Sequence, residues 1–336
     1  MQTTMKEKAI KKAAPHLNGV FACVLLLFLL SGSCGLIYQV IWTRKLTLLF
    51  GTTAYAVSTV LTIFFLGLGI GSLLGGKLAD KTRFPLRFYG LFEIIISLWA
   101  AAFVFALPAL APVIPIMLRT FDFSHVTGIV LRAFLTLLLL CVPVTLMGAT
   151  LPLLSRFTAG RDTHFGRRLG ALYATNTLGA VLGCVVTGFV LIAALGYTQA
   201  TLVGSALNLC AGLGAILVSL LREPINRADI TTQTSQVPAI MDEHKRLERS
   251  TAMHLSRGNI TLLLWTTGIC GFCGLALEVI WTRLLAIVFL GTTYAYTTML
   301  TAFLCGIAAG SACGSLVADR LRGRTFAVGI TLMLLT

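Results

Sequence analysis

The sequence has few charged residues, and acidic residues are the scarcest of them. Asp, Glu, Lys and Arg together make up 11% of the 336 residues, whereas soluble domains carry about 25%. Only 12 residues are Asp or Glu, against 26 that are Lys or Arg. With 57% hydrophobic residues, a soluble globule of this length could not cover its apolar side chains with a polar surface. This composition excludes an ordinary soluble domain and indicates that lipid is the outer solvent.

Features of secreted or catalytic domains are also missing. The nine cysteines fall inside apolar runs, so they do not indicate the disulfide framework of a secreted domain. Cys270 and Cys273 form a C-x-x-C within such a run, where two small packing residues are favoured over a redox or metal pair. No soluble β-α-β stretch is recognisable, so the sequence predicts no catalytic domain, no cofactor and no metal site.

Apolar runs long enough to cross a membrane alternate with short polar segments. A helix needs about 20 apolar residues to cross the hydrocarbon core. The sequence therefore predicts an all-α polytopic membrane protein with about eight complete transmembrane helices and the start of a ninth near residue 325. Because the ninth run stops at Thr336 after about half a span, we expect this sequence to be a piece of a longer chain. The predicted spans cover residues 19–42, 46–76, 88–110, 127–154, 169–194, 198–221, 259–282 and 285–317.

The polar segments divide the chain and orient it. With the N-terminus in the cytoplasm, 21 of the 26 Lys and Arg residues fall on the cytoplasmic side and 5 on the outer side. The positive-inside rule strongly favours this orientation. The predicted divisions are a basic cytoplasmic tail at 1–18, a first six-helix half at 19–221, a cytoplasmic linker at 222–258 and an incomplete second half at 259–336.

An internal repeat relates the two halves. Residues 32–80 align without a gap on residues 271–319, and 24 of the 49 positions are identical. Six predicted spans separate the first helix from its copy, so both copies enter the membrane the same way up. A parallel repeat of this kind is typical of transporters.

Several segments resemble known transporter families. GGKLADK (75–81) and GSLVADRLRGR (314–324) resemble the Gly-x-x-x-Asp-Arg/Lys motif that follows the second and eighth helices of major facilitator transporters. LIYQVIWTRKLTLLFG, GATLPLLSRF and GRRLGALYATNTLGAVLG resemble the membrane domain of bacterial proteins in the fused major facilitator/spermidine synthase family. The resemblance implies a major facilitator-like fold in a bacterial inner membrane. It also implies a C-terminal aminopropyltransferase domain, which these residues do not contain.

Three functions are compatible with these observations. The first is a transporter-like domain that moves a small cationic solute, such as a polyamine, by alternating access. The second is a membrane anchor or substrate-feeding module for an aminopropyltransferase domain or partner. The third is a scramblase-like or purely structural membrane protein. No nucleic-acid partner is expected, because the positive charge follows the membrane topology.

The few acidic and amide side chains within the predicted spans are the candidate substrate or coupling residues. A charged side chain at mid-depth costs about 3 kcal/mol, so Glu93 and Glu278 need a partner or a function. For Glu93 the alternatives are substrate or proton coupling and a structural salt bridge. For Glu278 they are a cation-attracting cavity and an interfacial pair with Thr282 or an Arg. Gln39 is the repeat equivalent of Glu278, and Asn176 either binds ligand or joins helices.

Charged residues of the repeated motif are the candidate gating residues. Asp80 and Lys81 follow the second span, and their repeat equivalents Asp319 and Arg320 follow the eighth. Each Asp is predicted to cap a neighbouring helix or to pair with an Arg, which would hold one conformer of the protein. The alternative is that each Asp is simply a solvated residue in a turn.

Each copy of the repeat also has a Trp before a Thr-Arg pair. Trp42 and Trp281 lie near the predicted outer ends of the first and seventh spans. Tryptophan is enriched at membrane–water interfaces, so both residues are predicted to anchor the outer interface.

Glycines recur every four residues along the second and eighth spans. Gly71 to Lys77 fits the G-x-x-x-x-G-K of a phosphate-binding loop, but Leu78 replaces the required Ser or Thr. The second copy lacks the G-x-x-x-x-G-K pattern but keeps a glycine at every fourth position. The glycines are therefore predicted to let helices pack closely. They are Gly67, Gly71 and Gly75 in the first copy and Gly306, Gly310 and Gly314 in the second.

Overall fold

A computed structural model describes residues 2–50, 54–112, 125–158, 165–232, 257–288 and 293–320. All regular secondary structure in these ranges is helical, which confirms the all-α prediction. The α-helices are α1 (Gln2–Phe50), α2 (Ala54–Lys81), α3 (Pro85–Leu110), α4 (His125–Thr158), α5 (Phe165–Val186), α6 (Ile192–Thr232), α7 (Arg257–Val288) and α8 (Thr293–Arg320), with a π-helical turn at Thr187–Leu191.

Six helical stretches of the described residues are long and apolar enough to cross a membrane. The count of eight complete spans is not supported, and the start of the ninth near residue 325 lies outside the described residues. The difference arises partly at Arg168–Leu221, which is one stretch of 54 residues. As one straight helix, at 1.5 Å per residue, it would be about 80 Å long, more than twice the thickness of a bilayer core. Gly196, with φ of 72°, interrupts its helical geometry. The six stretches are Gly19–Leu49, Val57–Lys81, Pro85–Ala109, Val130–Thr158, Arg168–Leu221 and Gly268–Leu285.

The first predicted boundary is displaced. The sequence prediction ended the first span at Trp42, before Arg44 and Lys45, but α1 continues to Phe50. Long basic side chains can lie along a helix and carry their charged ends toward the interface, so they need not end the helix. At its other end α1 begins at Gln2, which makes the basic tail helical and continuous with the first span.

The predicted linker at 222–258 is described only at its two ends. α6 continues to Thr232, and α7 begins at Arg257. Residues 233–256 of the linker lie outside the described residues.

The repeat is present in the helix boundaries. α8 (Thr293–Arg320) begins and ends 239 positions after α2 (Ala54–Lys81), which is the offset of the sequence alignment. α1 ends at Phe50 and α7 ends at Val288, so the corresponding helices agree to within one position of that offset. The two copies thus form the same pair of consecutive helices.

The chain divides into two compact units. One contains Met1–Ser219 and Arg283–Leu304, and the other contains Leu220–Thr282 and Cys305–Thr336. In the first unit, α2 packs along α4, α1 packs along α5, and α3 also contacts α4. The core of this unit is therefore made by α1 to α6, and the candidate residues Gln39, Glu93 and Asn176 lie within it.

Glycine makes the α2–α4 interface close. A Cβ atom at Gly67 would lie 3.0 Å from Val144 Cγ1, and one at Gly75 would lie 2.5 Å from Ala149 Cα. At Gly71 it would clash with the backbone carbonyl of Thr145. Larger side chains at these positions would force the two backbones apart, as expected for small residues between membrane helices.

Candidate functional site

Glu93 is a fully buried carboxylate in the first unit. It lies in the third turn of α3, a helix that begins at Pro85, where a proline fits because the first helical N–H has no partner within the helix. Only 1% of Glu93 is exposed. The hydroxyl of Ser31, on α1, donates a hydrogen bond of 2.6 Å to Glu93 Oε1. A bond of this length is typical of a hydroxyl that donates to a charged carboxylate.

Two further neutral donors surround the same residue. Tyr89, one turn earlier on α3, and Asn208, on α6, both interact with the Glu93 carboxyl group. Asn208 Nδ2 also donates to the Glu93 backbone carbonyl over 2.7 Å, and the Tyr89 hydroxyl donates to the Leu27 carbonyl over 3.3 Å. Ser31 therefore holds the carboxyl group, Tyr89 and Asn208 lie beside it, and none of the three side chains is charged.

A seam of small and polar residues brings α3 and α6 together around this site. Ser97 and Ser205 each donate to the other's backbone carbonyl, over 2.8 and 2.9 Å. Two turns away, a Cβ atom at Gly90 would lie 2.7 Å from the Gly212 carbonyl oxygen. Because the two backbones approach so closely, Asn208 can reach the backbone of Glu93. Interhelical hydrogen bonds of this kind stabilise packing inside a membrane.

Asn176 lies against the same turn of α1, one position farther along it. A Cβ atom at Gly32 would lie 2.8 Å from Asn176 Oδ1, so the amide lies directly against α1 at that point. Ser33 Oγ donates to the Gly179 carbonyl on α5 over 2.9 Å. Residues 31–33 of α1 thus contact both α3, through Glu93, and α5, through Asn176 and Gly179.

An aromatic stack continues along α1 from this point. Tyr38 and Trp42 are fully buried and stack with ring centroids 5.1 Å apart, and Trp42 also contacts Phe103 at 5.1 Å. Among the described residues, neither the Tyr38 hydroxyl nor the Trp42 indole N–H has a hydrogen-bond partner. Cys34 and Gln39 on the same helix are also buried. One face of α1 therefore carries polar groups from Ser31 to Trp42.

The interfacial role predicted for Trp42 is wrong. Its side chain is 0% exposed, whereas its repeat equivalent Trp281 is 53% exposed. Trp42 lies inside the first unit, whereas the indole of Trp281, in the second unit, is exposed. Identical local sequences therefore have different surroundings in the two copies.

Glu278 has an environment unlike that of Glu93. It is 1% exposed, and within the part of the chain that the structure describes its two carboxylate oxygens are buried without a hydrogen-bond partner. The Thr282 hydroxyl donates to the backbone carbonyl of Glu278, over 2.7 Å. Glu278 belongs to the second unit, so Glu93 and Glu278 are described as separate sites.

The candidate gating residues are only partly described. Asp80 and Lys81 are exposed at the end of α2. The helix α8 extends through Asp319 to Arg320, but their side chains lie outside the described set. Of the second-copy glycines, Gly306 has open space around its Cα, and the helix continues through Gly310 and Gly314.

Contacts between α5, α6 and the beginning of α8 were not anticipated from the sequence. Thr301 Oγ1 donates to Cys184 Sγ over 3.5 Å, and Cys184 Sγ contacts the Thr297 carbonyl at 3.7 Å. The hydroxyls of Tyr197 and Thr293 lie 3.2 Å apart. The first part of α8 therefore packs against the end of α5 and the start of α6, within the first unit.

Sequence reasoning found Glu93 but missed Ser31 and Tyr89. A carboxylate stands out in an apolar run, whereas Ser and Tyr are ordinary residues of membrane helices. The sequence did indicate Tyr89 as a neighbour of Glu93. It precedes Glu93 by four positions and therefore lies on the same face of α3.

Comparison with known proteins supports a transporter-type fold. The family model described as Major Facilitator Superfamily matches residues 20–336, nearly the whole chain. No curated protein matches the chain. Together with the apolar helices, the match identifies a multi-pass membrane protein of transporter type. The chain belongs to the major facilitator superfamily.

Proposed function

We propose that this protein moves a small cationic solute across the membrane and that Glu93 is its substrate-binding or coupling carboxylate. The observation that carries the proposal is the burial of Glu93 among the neutral donors Ser31, Tyr89 and Asn208. Ionisable residues inside a membrane are rare because they are unfavourable there, and they commonly mark ion or substrate pathways. A buried carboxyl group among uncharged side chains has no built-in counter-ion, so it offers a site where a cationic group or a proton can bind.

Other candidate residues extend this proposal. Asn176 lies against the turn of α1 that holds Ser31, so it is placed to contact the polar part of a solute near Glu93. Gln39 would be a further substrate or coupling residue, farther along α1. Glu278 would supply a second acidic site, since its buried oxygens lack partners among the described residues.

The orientation and gating of the protein are part of the same proposal. The distribution of Lys and Arg supports a cytoplasmic N-terminus. In this orientation the Asp80–Lys81 and Asp319–Arg320 pairs lie at the cytoplasmic ends of α2 and α8 and would stabilise one conformer. Residues 19–221 and residues 259–336 would form the two halves of the transporter. These halves would move against each other and would be joined by the linker.

Polyamines are the first solutes to test, because three segments resemble the fused major facilitator/spermidine synthase family. The same resemblance supports a second candidate function, a membrane module that delivers polyamine to an aminopropyltransferase domain or partner in a bacterial inner membrane. The second function predicts that deleting this chain removes aminopropyltransferase activity from isolated membranes. The first predicts uptake by the purified chain alone.

Uptake into proteoliposomes tests the proposed function. The purified chain would be reconstituted and supplied with labelled putrescine, spermidine, a neutral sugar or a dicarboxylate, with protein-free vesicles as the control. We expect saturable uptake of the cationic compounds above the control and no uptake of the other two. Uptake of only the neutral or anionic compound, or of none of the four, would overturn the proposal.

A further inference from the structure

Glu93 is the one buried acidic residue among the described side chains of the first unit. The other described acidic side chain there, Asp80, is exposed at the end of α2. Arg87, the basic residue of α3, lies at the start of that helix, with its guanidinium group 4.6 Å from the centre of the Phe84 ring. Among the described side chains, those that hold or adjoin the Glu93 carboxyl group are all uncharged. A negative charge at Glu93 therefore has to be balanced by a proton or by a cation that the protein takes up.

The other titratable side chains near this carboxyl group are thiols and phenols. They are Tyr89 on α3 and Cys34 and Tyr38 on α1, all fully buried, together with Cys210 on α6, which lies near Cys34. Thiol and phenol groups ordinarily lose a proton only above about pH 8. A proton that is bound or lost at this point near neutral pH therefore belongs to Glu93.

The groups around Glu93 fit both the charged and the protonated carboxyl group. Ser31 Oγ lies 2.6 Å from Glu93 Oε1, and a hydroxyl group can donate to a carboxylate or accept from a carboxylic acid. The Tyr89 hydroxyl has the same capacity. Asn208 donates to the Glu93 backbone carbonyl over 2.7 Å, so this bond is the same in either state. The site can therefore gain or lose a proton while its helices stay joined.

We propose that Glu93 exchanges one proton for a cationic group of the solute, so that the protein is a proton–cation antiporter. Without solute the carboxyl group carries a proton, because an unbalanced charge inside the membrane is unfavourable. When the solute binds, the O–H bond of the carboxylic acid breaks, the proton passes to water, and the cationic group takes its place beside the carboxylate. One carboxylate holds one of the two at a time, so each crosses the membrane in a different conformer. This inference rests on the proposed function, since it requires a cationic solute.

Proton release on solute binding tests the proposal. The full chain in detergent, weakly buffered near pH 7 and containing a pH-indicator dye, would be mixed with spermidine, and binding would be measured in parallel by calorimetry. We expect about one proton released per spermidine bound, and a Kd that falls by up to about tenfold for each unit increase in pH. Glu93→Gln should release no proton, whereas Glu93→Asp, which keeps a carboxyl group, should still release it. The matched control is Ser72→Ala, at an exposed position of α2, which should behave as the unchanged protein.

A second measurement needs no variant, so it serves if Glu93→Gln does not fold. In proteoliposomes with the membrane potential held at zero, a pH gradient that is acidic inside should drive accumulation of labelled spermidine. Nigericin, which removes the pH gradient, should abolish this accumulation. Equal uptake with and without the gradient would overturn the exchange.

The outcomes separate this inference from the proposed function. Spermidine binding without proton release, at a Kd that does not change with pH, would overturn the exchange and leave cation binding intact. Absence of saturable binding by any cationic compound would overturn both. Proton release that persists in Glu93→Gln but is lost in Glu278→Gln would assign the exchange to the second unit and overturn the role given to Glu93.

Discussion

Ser31 on α1 donates a 2.6 Å hydrogen bond to the carboxylate of Glu93 on α3, joining residues 62 positions apart. The bond orients the carboxylate inside the helix bundle, where the side chain is shielded from solvent. Asn208 on α6 adds a bond to the Glu93 backbone, so three helices meet at one acidic residue. Changes that remove these hydrogen bonds are expected to lower the stability of the bundle, and changes that remove the charge are expected to lower its transport activity.

Removing the Ser31 hydroxyl is expected to destabilise the protein. Ser31→Ala leaves the buried carboxylate without its shortest hydrogen bond, and bonds to charged groups contribute about 1.5–3 kcal/mol. Thermal unfolding in detergent would show a lower Tm for this variant. Ser72→Ala, at an exposed position of α2, should change stability by no more than about 0.5 kcal/mol. Equal Tm values for the two variants would contradict the role given to Ser31.

The close approach of α2 and α4 predicts opposite effects for two glycines on one helix. Gly71→Ala places a Cβ atom against the Thr145 carbonyl and should lower Tm, because the backbones must separate. Gly69 has open space around it, so Gly69→Ala should be neutral or should stabilise the helix by up to about 1 kcal/mol. Both variants would be compared by thermal unfolding in the same detergent. If Gly71→Ala is as stable as Gly69→Ala, the glycines do not set the packing distance.

The two repeat-equivalent tryptophans are expected to respond differently to truncation. Trp42→Ala removes a buried ring stacked on Tyr38 and should lower the free energy of unfolding by about 3–5 kcal/mol. Trp281→Ala removes a ring that is 53% exposed and should cost much less. Denaturant or thermal unfolding of both variants measures the difference. A larger loss of unfolding free energy for Trp281→Ala than for Trp42→Ala would contradict the buried, stacked position of Trp42.

The hydroxyl oxygens of Ser97 and Ser205 lie 3.0 Å apart, which predicts an interaction energy between the two side chains. A double-mutant cycle with Ser97→Ala and Ser205→Ala should give a coupling of about 0.6 kcal/mol, and at most about 1.7 kcal/mol. The cycle would be measured by unfolding of the two single variants and the double variant. Strictly additive effects would contradict a direct interaction between the two hydroxyl groups.

Hydropathy and the repeat predicted much of the fold. The all-helical architecture follows from the apolar runs, and the sequence offset of the repeat is reproduced in the bounds of α2 and α8. The end of α1 was misplaced because Arg44 and Lys45 were taken as the end of a span, although α1 continues to Phe50. Charge alone does not mark a helix end when long side chains can reach the interface.

The candidate site could be predicted only in part. A carboxylate in an apolar run is conspicuous, so the sequence pointed to Glu93 directly. Its partner Ser31 is on another helix, and no local pattern determines which helices become neighbours. The prediction for Trp42 failed for a related reason, since a Trp-Thr-Arg segment shows depth along the helix but not which face of it lies inward.

Uptake by the Glu93→Gln variant tests the central claim most directly. Glutamine keeps the shape of the side chain and an acceptor for Ser31 but removes the negative charge. In proteoliposomes, we expect Glu93→Gln to take up labelled spermidine at least about tenfold more slowly than the unchanged protein, equivalent to ~1.4 kcal/mol. Its Tm should stay close to that of the unchanged protein, and Ser72→Ala should transport normally. Uptake by Glu93→Gln at the unchanged rate would contradict the account.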